Sequence, residues 1–400
     1  MRDRPRWLNA TVLGVGLASL FSDWSHEIAT AAMPAFLASL GASAAWLGMI
    51  EGVSDGLASF AKMASGFYTD KLPRRKGIAV GGYLVTAAGI ASFGLATNAM
   101  QVLLARATAW LGRGFRTPVR KALLAAAVTP ESYGKAFGLE RALDTVGAIV
   151  GPLTALLILQ ITHSNYRVLF AWTLVPGVLA ALVIWFLVTE KQRMPVPHVN
   201  FGERLRSLPQ NYRRFLVGVG IFGAGDFAHT LLILLATQRL TPSLGAVRAA
   251  SAGVLLYVLH NVFYACLSPV AGALADRWPK QKILAGGYAL AALMAVLIIV
   301  LPPTLWSLVF IFILGGAYVA IEETLEDSFC AELVEPSHHG MAFGVLATVN
   351  GLGDTFSSIV VGALWAAFGL QLAFSYSALL FIAGALVMLT LARRVQPPTA

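Results

Sequence analysis

The sequence predicts an all-α membrane protein with twelve transmembrane helices in two pseudo-symmetric six-helix bundles. Three observations predict it. The chain is 57% hydrophobic and only 12% charged, with a mean hydropathy of +0.72, whereas soluble domains carry about 25% charged residues. Its apolar runs recur at the length of about 20 residues that a helix needs to cross hydrocarbon. One pattern is also written twice: Gly66, Asp70, Lys71, Pro73, Arg74 and Lys76 return 206 residues later as Gly272, Asp276, Arg277, Pro279, Lys280 and Lys282. Gly134, Ala136, Phe137 and Gly138 return at the same offset as Gly340, Ala342, Phe343 and Gly344. Such an offset marks a tandem duplication, and in apolar chains duplicated halves point to transporters.

Span 1 (residues 11–37) follows the basic start Arg2, Arg4 and Arg6. Its apolar run is too long for a signal peptide and lacks a small-residue cleavage site, so it reads as a retained helix. Spans 2 (44–69) and 3 (77–98) are divided by the basic stretch Lys71–Lys76, and Lys135 lies between spans 4 (100–128) and 5 (136–161). Span 6 (167–189) runs into the basic segment from Lys191 to Arg214. The second half repeats the series as spans 7 (213–238), 8 (247–275), 9 (281–301), 10 (303–331), 11 (341–368) and 12 (371–392). Residues 1–189 and 213–400 are therefore the expected halves, with 190–212 as a linker. Lys and Arg collect at the termini and in alternate connections, with Arg167, Arg239 and Arg248 opposite. Both termini and the linker are expected in the cytoplasm, and the net charge of +9 reflects topology rather than a nucleic-acid partner. Cys266 and Cys330 fall inside spans and exclude a disulfide framework.

Charges within the spans follow a three-helix rhythm. Most lie on spans 1, 4, 7 and 10, fewer on 2, 5, 8 and 11, and, apart from Arg167 and Lys282 at the very starts of spans 6 and 9, none on 3, 6, 9 and 12. A charge at the bilayer centre costs about 2.5 to 3.5 kcal/mol, so the first class is expected to line a wet pathway, the second to flank it and the third to face lipid.

With this rhythm and the stretch Gly66-Phe67-Tyr68-Thr69-Asp70-Lys71-Leu72-Pro73-Arg74-Arg75-Lys76, echoed at Gly272 to Lys282, the chain resembles the major facilitator superfamily of secondary transporters over all 400 residues. Pro73 and Pro279 stand where that family usually has Gly. The strings FSDWSHE, GRGFRTPVRKALL, AFGLERALDTVGA and EETLED resemble a bacterial subgroup to which no substrate is assigned. The resemblance implies alternating access in a bacterial inner membrane by a monomer, with Asp70 latching a neighbouring helix terminus. It gives conformational roles to Gly66, Asp70, Lys71, Arg74 and Arg75 and to Gly272, Asp276 and Arg277. Gly147-Ala148-Ile149-Val150-Gly151-Pro152 is similar to a signature of proton-driven exporters, and GxxxG with a following Pro is equally a helix-packing device. The family's coupling Arg of helix 4 is matched only loosely by Arg113.

Asp23-x-x-His26 of span 1 overlies Asp226-x-x-His229 of span 7, each pair on one helical face, with Glu27 adjacent. The pairs read as a proton or cation coupling site, or as intrahelical bonds in a helix break. If they converge they would offer an N2O2 set for Zn, Fe, Co or Ni. On span 4, Arg113, Arg116 and Arg120 form a stripe that spans 10 and 4 hold with opposite charge: Arg116 overlies Glu322, Arg120 overlies Glu326 and Lys121 overlies Asp327. Paired stripes would act as a gate. Otherwise Arg113 and Arg116 would recognise an anion, and Glu322 and Glu323 a cation. Glu140, Arg141 and Asp144 read as inter-helix pairs, His260, Asn261, Asn350 and Asp354 as weaker cavity candidates, and Phe21, Trp24, Phe222 and Phe227 as rings able to stack on a flat substrate.

No G-x-x-x-x-G-K-[ST] nucleotide loop and no H-E-x-x-H are present, and Ser22, Asp23 and His26 on one helix rarely give triad geometry. The expected function is therefore secondary transport of a small solute or ion, without cofactor and driven by a proton gradient. Proton antiport out of the cell leads. Proton-coupled uptake, divalent-metal export and a transport-dead sensor are the alternatives.

Overall fold

The computed structural model describes residues 7–42, 44–190 and 201–392. Among these there is no strand. The helices are α1 Ala10–Ser39, α2 Ala44–Asp70, α3 Lys76–Ala91, α4 Ala99–Ala126, α5 Tyr133–Ile161, α6 Tyr166–Trp172, α7 Leu174–Leu187, α8 Phe201–Ser207, α9 Gln210–Gly223, α10 His229–Leu244, α11 Ala246–Ala275, α12 Lys280–Val300, α13 Leu305–Leu333, α14 His339–Phe368 and α15 Leu370–Ala392. Eight of the spans they form are long and apolar enough to cross a bilayer on composition alone. The others are α1, α2 and α4, which carry interior charge, and span 7, which is interrupted.

Packing divides the chain into two compact units. The first comprises Met1–Ser132, Leu139–Ser207 and Val334–Thr348, and the second Tyr133–Gly138, Leu208–Leu333 and Val349–Ala400. The first turns of α5 and α14 pack with the unit that holds most of the other sequence half. Helix pairing repeats within the units. In the first, α3 packs on α4 and α7, α2 on α4, and α1 on α7; in the second, α12 packs on α13 and α15, α11 on α13, and α9 on α15. These pairs correspond one to one under the duplication.

The first core holds Ile28, Met33, Phe36, Phe93 and Phe170. In the second, Phe222 stacks on Tyr288 at 3.8 Å and Phe227 meets Phe374 edge-on. Phe222 and Phe227 are thus core residues rather than free rings. The helices without charge beyond their first turn carry large apolar side chains outward: Leu84, Trp185 and Phe186 on α3 and α7, and Leu293, Leu379 and Leu386 on α12 and α15. An outer face of this kind suits hydrocarbon and not water.

Two expected elements differ. Span 6 is divided at Thr173 into α6 and α7, with Pro176 in the first turn of the second piece. Span 7 is divided between Gly223 and His229, placing Asp226 in an unwound segment. Gly223 and Gly225 lower the helical preference of this stretch by about 1 kcal/mol each relative to Ala. The freed backbone groups find new partners: Tyr376 Oη donates to Ala224 O at 2.9 Å, Ser357 Oγ donates to Asp226 O, and Ala228 N donates to Ser358 Oγ at 3.1 Å. Unwound backbone at membrane depth survives only with such satisfaction.

Candidate functional site

On α1 the polar residues Ser19, Ser22, Asp23 and His26 recur at three and four positions, which puts them on one helical face. The arginines of α4 have the same period and face them. Arg113 Nη2 lies 3.3 Å from Asp23 Oδ1. Arg116 donates to Ser22 Oγ at 2.5 Å and sits 4.1 Å over the Tyr83 ring. Arg120 is the most tightly held: its Nη2 is 2.8 Å from Glu140 Oε1, and its Nη1 is 2.6 Å from Ser19 Oγ and 3.7 Å from Asp144. Ser19 donates in turn to Glu140 at 2.6 Å, and Arg141 bonds Asp144 at 3.3 Å. The stripe thus finds hydroxyls, carboxylates and an aromatic face inside its own unit. Glu140 and Asp144 are the inter-helix ion-pair residues expected of them.

Asp23 and His26 are not bonded to one another. His26 packs edge-on to Trp110 at 4.7 Å and lies 3.5 Å from Thr30 and 3.6 Å from Glu27. Arg106, Arg113 and Arg116 are all within electrostatic reach of its ring. A divalent cation would meet these arginines, and among the described residues no three His, Cys, Asp or Glu side chains form a group that could hold a metal. Asp23 and His26 belong to the first unit and Asp226 and His229 to the second. Gly147 and Gly151 let α5 approach α1: a Cβ on Gly147 would fall on the Leu20 carbonyl, and one on Gly151 on the Glu27 Cβ. Pro152 follows inside α5. This stretch acts as a packing device between helices.

The second unit reverses the charge. Asp226, in the break, accepts from Tyr318 Oη at 3.0 Å. Glu326 accepts from Tyr288 Oη at 2.5 Å and from Asn350 Nδ2 at 2.7 Å, and Glu323 from Tyr264 Oη at 2.7 Å. Glu322 and Asp327 are buried beside them on α13. Asp226, Glu322, Glu323, Glu326 and Asp354 are close enough to repel one another. Among the described residues no Lys or Arg lies within ion-pair distance of Asp226, Glu322 or Glu326. Under the 206-residue offset Glu326 and Asn350 overlie Arg120 and Asp144, so an ion pair in one repeat becomes a carboxylate held by neutral donors in the other. His229 does not bond Asp226. It packs 4.8 Å from the His260 ring and 6.2 Å from Tyr257.

The duplicated loop motif caps helices. Asp70 accepts from the backbone N–H groups of Gly340 at 3.1 Å and Met341 at 2.8 Å, at the start of α14. Asp276 accepts from Gly134 at 2.7 Å and Lys135 at 3.1 Å, at the start of α5. Helix starts leave such N–H groups unpaired, and an anion there is favoured. Close approach needs glycine: a Cβ on Gly66 would fall on the Gly340 carbonyl, and one on Gly272 on the Gly134 carbonyl. Arg75 ties Asp70 at 3.5 Å to Glu190, whose carboxylate accepts from Arg75 N at 2.8 Å and Lys76 N at 2.9 Å. Lys71 lies 3.9 Å over the Phe67 ring, while Arg74 and Arg277 are exposed. Asp70→Ala and Asp276→Ala should each lower stability by about 0.5 to 2 kcal/mol, the range for a lost cap. Thermal denaturation of the detergent-purified variants checks this, and an unchanged midpoint in both would rule out the caps as a source of stability.

Sequence reasoning missed Tyr318, Tyr288, Ser357, Ser358 and Tyr376. The available signal was a polar group in an otherwise apolar span, each facing a carboxylate or an unwound segment.

A model of the Major Facilitator Superfamily matches residues 15–320 and again 215–400. The chain belongs to the major facilitator superfamily. It is 26% identical over 387 residues to an uncharacterized MFS-type transporter of Methanocaldococcus jannaschii, covering 97% of this chain and 96% of that protein. It is 25% identical over 334 residues to the multidrug resistance protein MdtH of Salmonella typhi, covering 80% of this chain and 78% of that one. Among solved structures, the superfamily transporter FucP in its outward conformation matches with a TM-score of 0.76 at 17% identity, covering 97% of this chain and all of that one. That likeness carries the fold. This is an integral membrane transporter of the superfamily, acting on a small-molecule substrate in a bilayer.

Proposed function

We propose that this protein exports a small solute across a bacterial cytoplasmic membrane in exchange for protons, with its termini and linker in the cytoplasm. One observation carries the reading: at a helix break the second unit gathers half-buried Asp226 with buried Glu322 and Glu326, and among the described residues no Lys or Arg pairs with them, Asp226 and Glu326 being held by neutral donors alone. Buried carboxylates without a counter-cation gain from taking up a proton or a cationic group. Competition between the two at one set of oxygens is the simplest form of antiport. In the first unit Asp23 is already neutralised by Arg113 and the surroundings are cationic, so the exchangeable charge belongs to the second unit. The interrupted span 7 agrees, since substrate and ion sites in transporters gather at broken helices. The likeness to MdtH supports efflux, and the caps at Asp70 and Asp276 supply contacts that would form and break as the protein alternates between states.

The test is reconstitution in liposomes carrying an internal pH dye, with gradients of cationic drugs, amino acids and organic anions imposed in turn. A transported solute should move protons in the opposite direction, and Glu322→Gln should remove that proton movement. Solute and protons moving the same way would overturn antiport, and solute flux with no proton movement would overturn coupling.

A further inference from the structure

We infer that the groove between the start of α9 and the end of α15 is a binding site for an acidic glycerophospholipid, its headgroup phosphate on Arg213 and Arg214 and an acyl chain along Val217, Val387 and Leu391.

The groove arises from how the two helices meet. Met388 of α15 occupies the space where a side chain on Gly218 of α9 would lie, and Gly384 packs on Phe222. One turn nearer the linker no such interdigitation continues. Two adjoining cavities of about 310 and 230 Å³ open there, sharing Arg214 and Val217. Val217 is 57% exposed, and on α15 the neighbours of the groove residues, Leu386 and Leu389, are exposed as well. The apolar part of the groove therefore opens to the bilayer.

The polar end is uncompensated. Arg213 donates its Nε to Leu208 O at 3.1 Å, which fixes its stem, and among the described residues neither Arg213 nor Arg214 has a carboxylate within ion-pair distance. Both lie in the first turns of α9, which has no acidic residue in its first turn. A helix N-terminus favours anions and disfavours cations, so two arginines here make a strongly positive spot at the membrane boundary. A phosphate with a hydrocarbon tail matches both ends of the groove, as basic pockets between transmembrane helices match acidic lipid headgroups. A soluble anion would leave the apolar half unfilled.

Native mass spectrometry of the full-length protein in detergent tests this, titrating phosphatidylglycerol, phosphatidylcholine of the same chains, and glycerol 3-phosphate. Phosphatidylglycerol should bind tightest. Arg213→Ala with Arg214→Ala should weaken it about thirty-fold, from about 1 kcal/mol per interfacial arginine at 1.4 kcal/mol per tenfold. The double Lys variant should retain most binding, which separates lost charge from damaged fold. Val217→Trp should weaken phosphatidylglycerol with both arginines intact. Equal binding of the two lipids, no effect of the double Ala variant, or no effect of Val217→Trp would each overturn the site. Displacement of phosphatidylglycerol by glycerol 3-phosphate would show a soluble-anion site instead.

Discussion

Arg120→Ala is expected to lower the thermal midpoint of the detergent-purified protein by on the order of 10 °C. Arg120 is 6% and Glu140 1% exposed, and Arg120 is the cation that reaches Glu140, Asp144 and Ser19 together. Removing one partner of a buried pair costs about 3 to 5 kcal/mol, because the remaining charges stay desolvated. At about 2 to 4 °C per kcal/mol for a unit of this size, that cost sets the shift. Removing the anions as well should restore much of the loss, so Arg120→Ala with Glu140→Gln and Asp144→Asn should melt above Arg120→Ala alone. Arg120→Lys should fall between, since an ammonium cannot reproduce the guanidinium fork to Glu140 and Ser19. The duplicated position supplies the control. Glu326 is held by Tyr288 and Asn350 with no Lys or Arg paired to it among the described residues, so Glu326→Gln leaves no orphaned charge and should change the midpoint far less. A midpoint for Arg120→Ala within a degree or two of the parent would rule out the network as a structural element.

The contrast between Arg120 and Glu326 shows what the sequence could and could not carry. The duplication, the charge rhythm and the opposite signs of the two stripes were readable, because membrane burial makes each interior charge conspicuous. Which partner each charge takes was not. Arg116 bonds a serine and covers a tyrosine ring, neither of which a charge-matching argument would select. The Asp-x-x-His spacing suggested a bonded pair in each repeat, yet the side chains diverge: Asp23 goes to Arg113 and His26 to Trp110, Asp226 to Tyr318 and His229 to His260. Shared helical face fixes a direction, while neighbouring helices fix the contact. The break in span 7 was hidden for a similar reason. Gly223 and Gly225 permit it, but span 7 unwinds because Ser357, Ser358 and Tyr376, more than a hundred residues away, are placed to take its backbone groups. The units likewise follow packing at the starts of α5 and α14, which hydropathy does not register.

Asp226→Asn is expected to abolish solute movement driven by a pH gradient while leaving the protein folded and inserted. The amide keeps the shape of the side chain and can still accept from Tyr318 Oη, so the contact at 3.0 Å survives in outline. The backbone of the break is held by Ser357, Ser358 and Tyr376 and does not depend on the carboxylate charge. What the substitution removes is a group able to bind and release a proton among Glu322, Glu323, Glu326 and Asp354. Tyr318→Phe separates positioning from charge. It deletes the donor but leaves the carboxylate, so transport should persist with an altered dependence on pH. A fixed neutral residue at 226 should also leave exchange of labelled for unlabelled solute intact, because exchange requires binding and alternation but no net proton transfer. Loss of both driven transport and exchange in Asp226→Asn would instead place Asp226 in solute binding, and driven transport equal to the parent would remove it from coupling altogether.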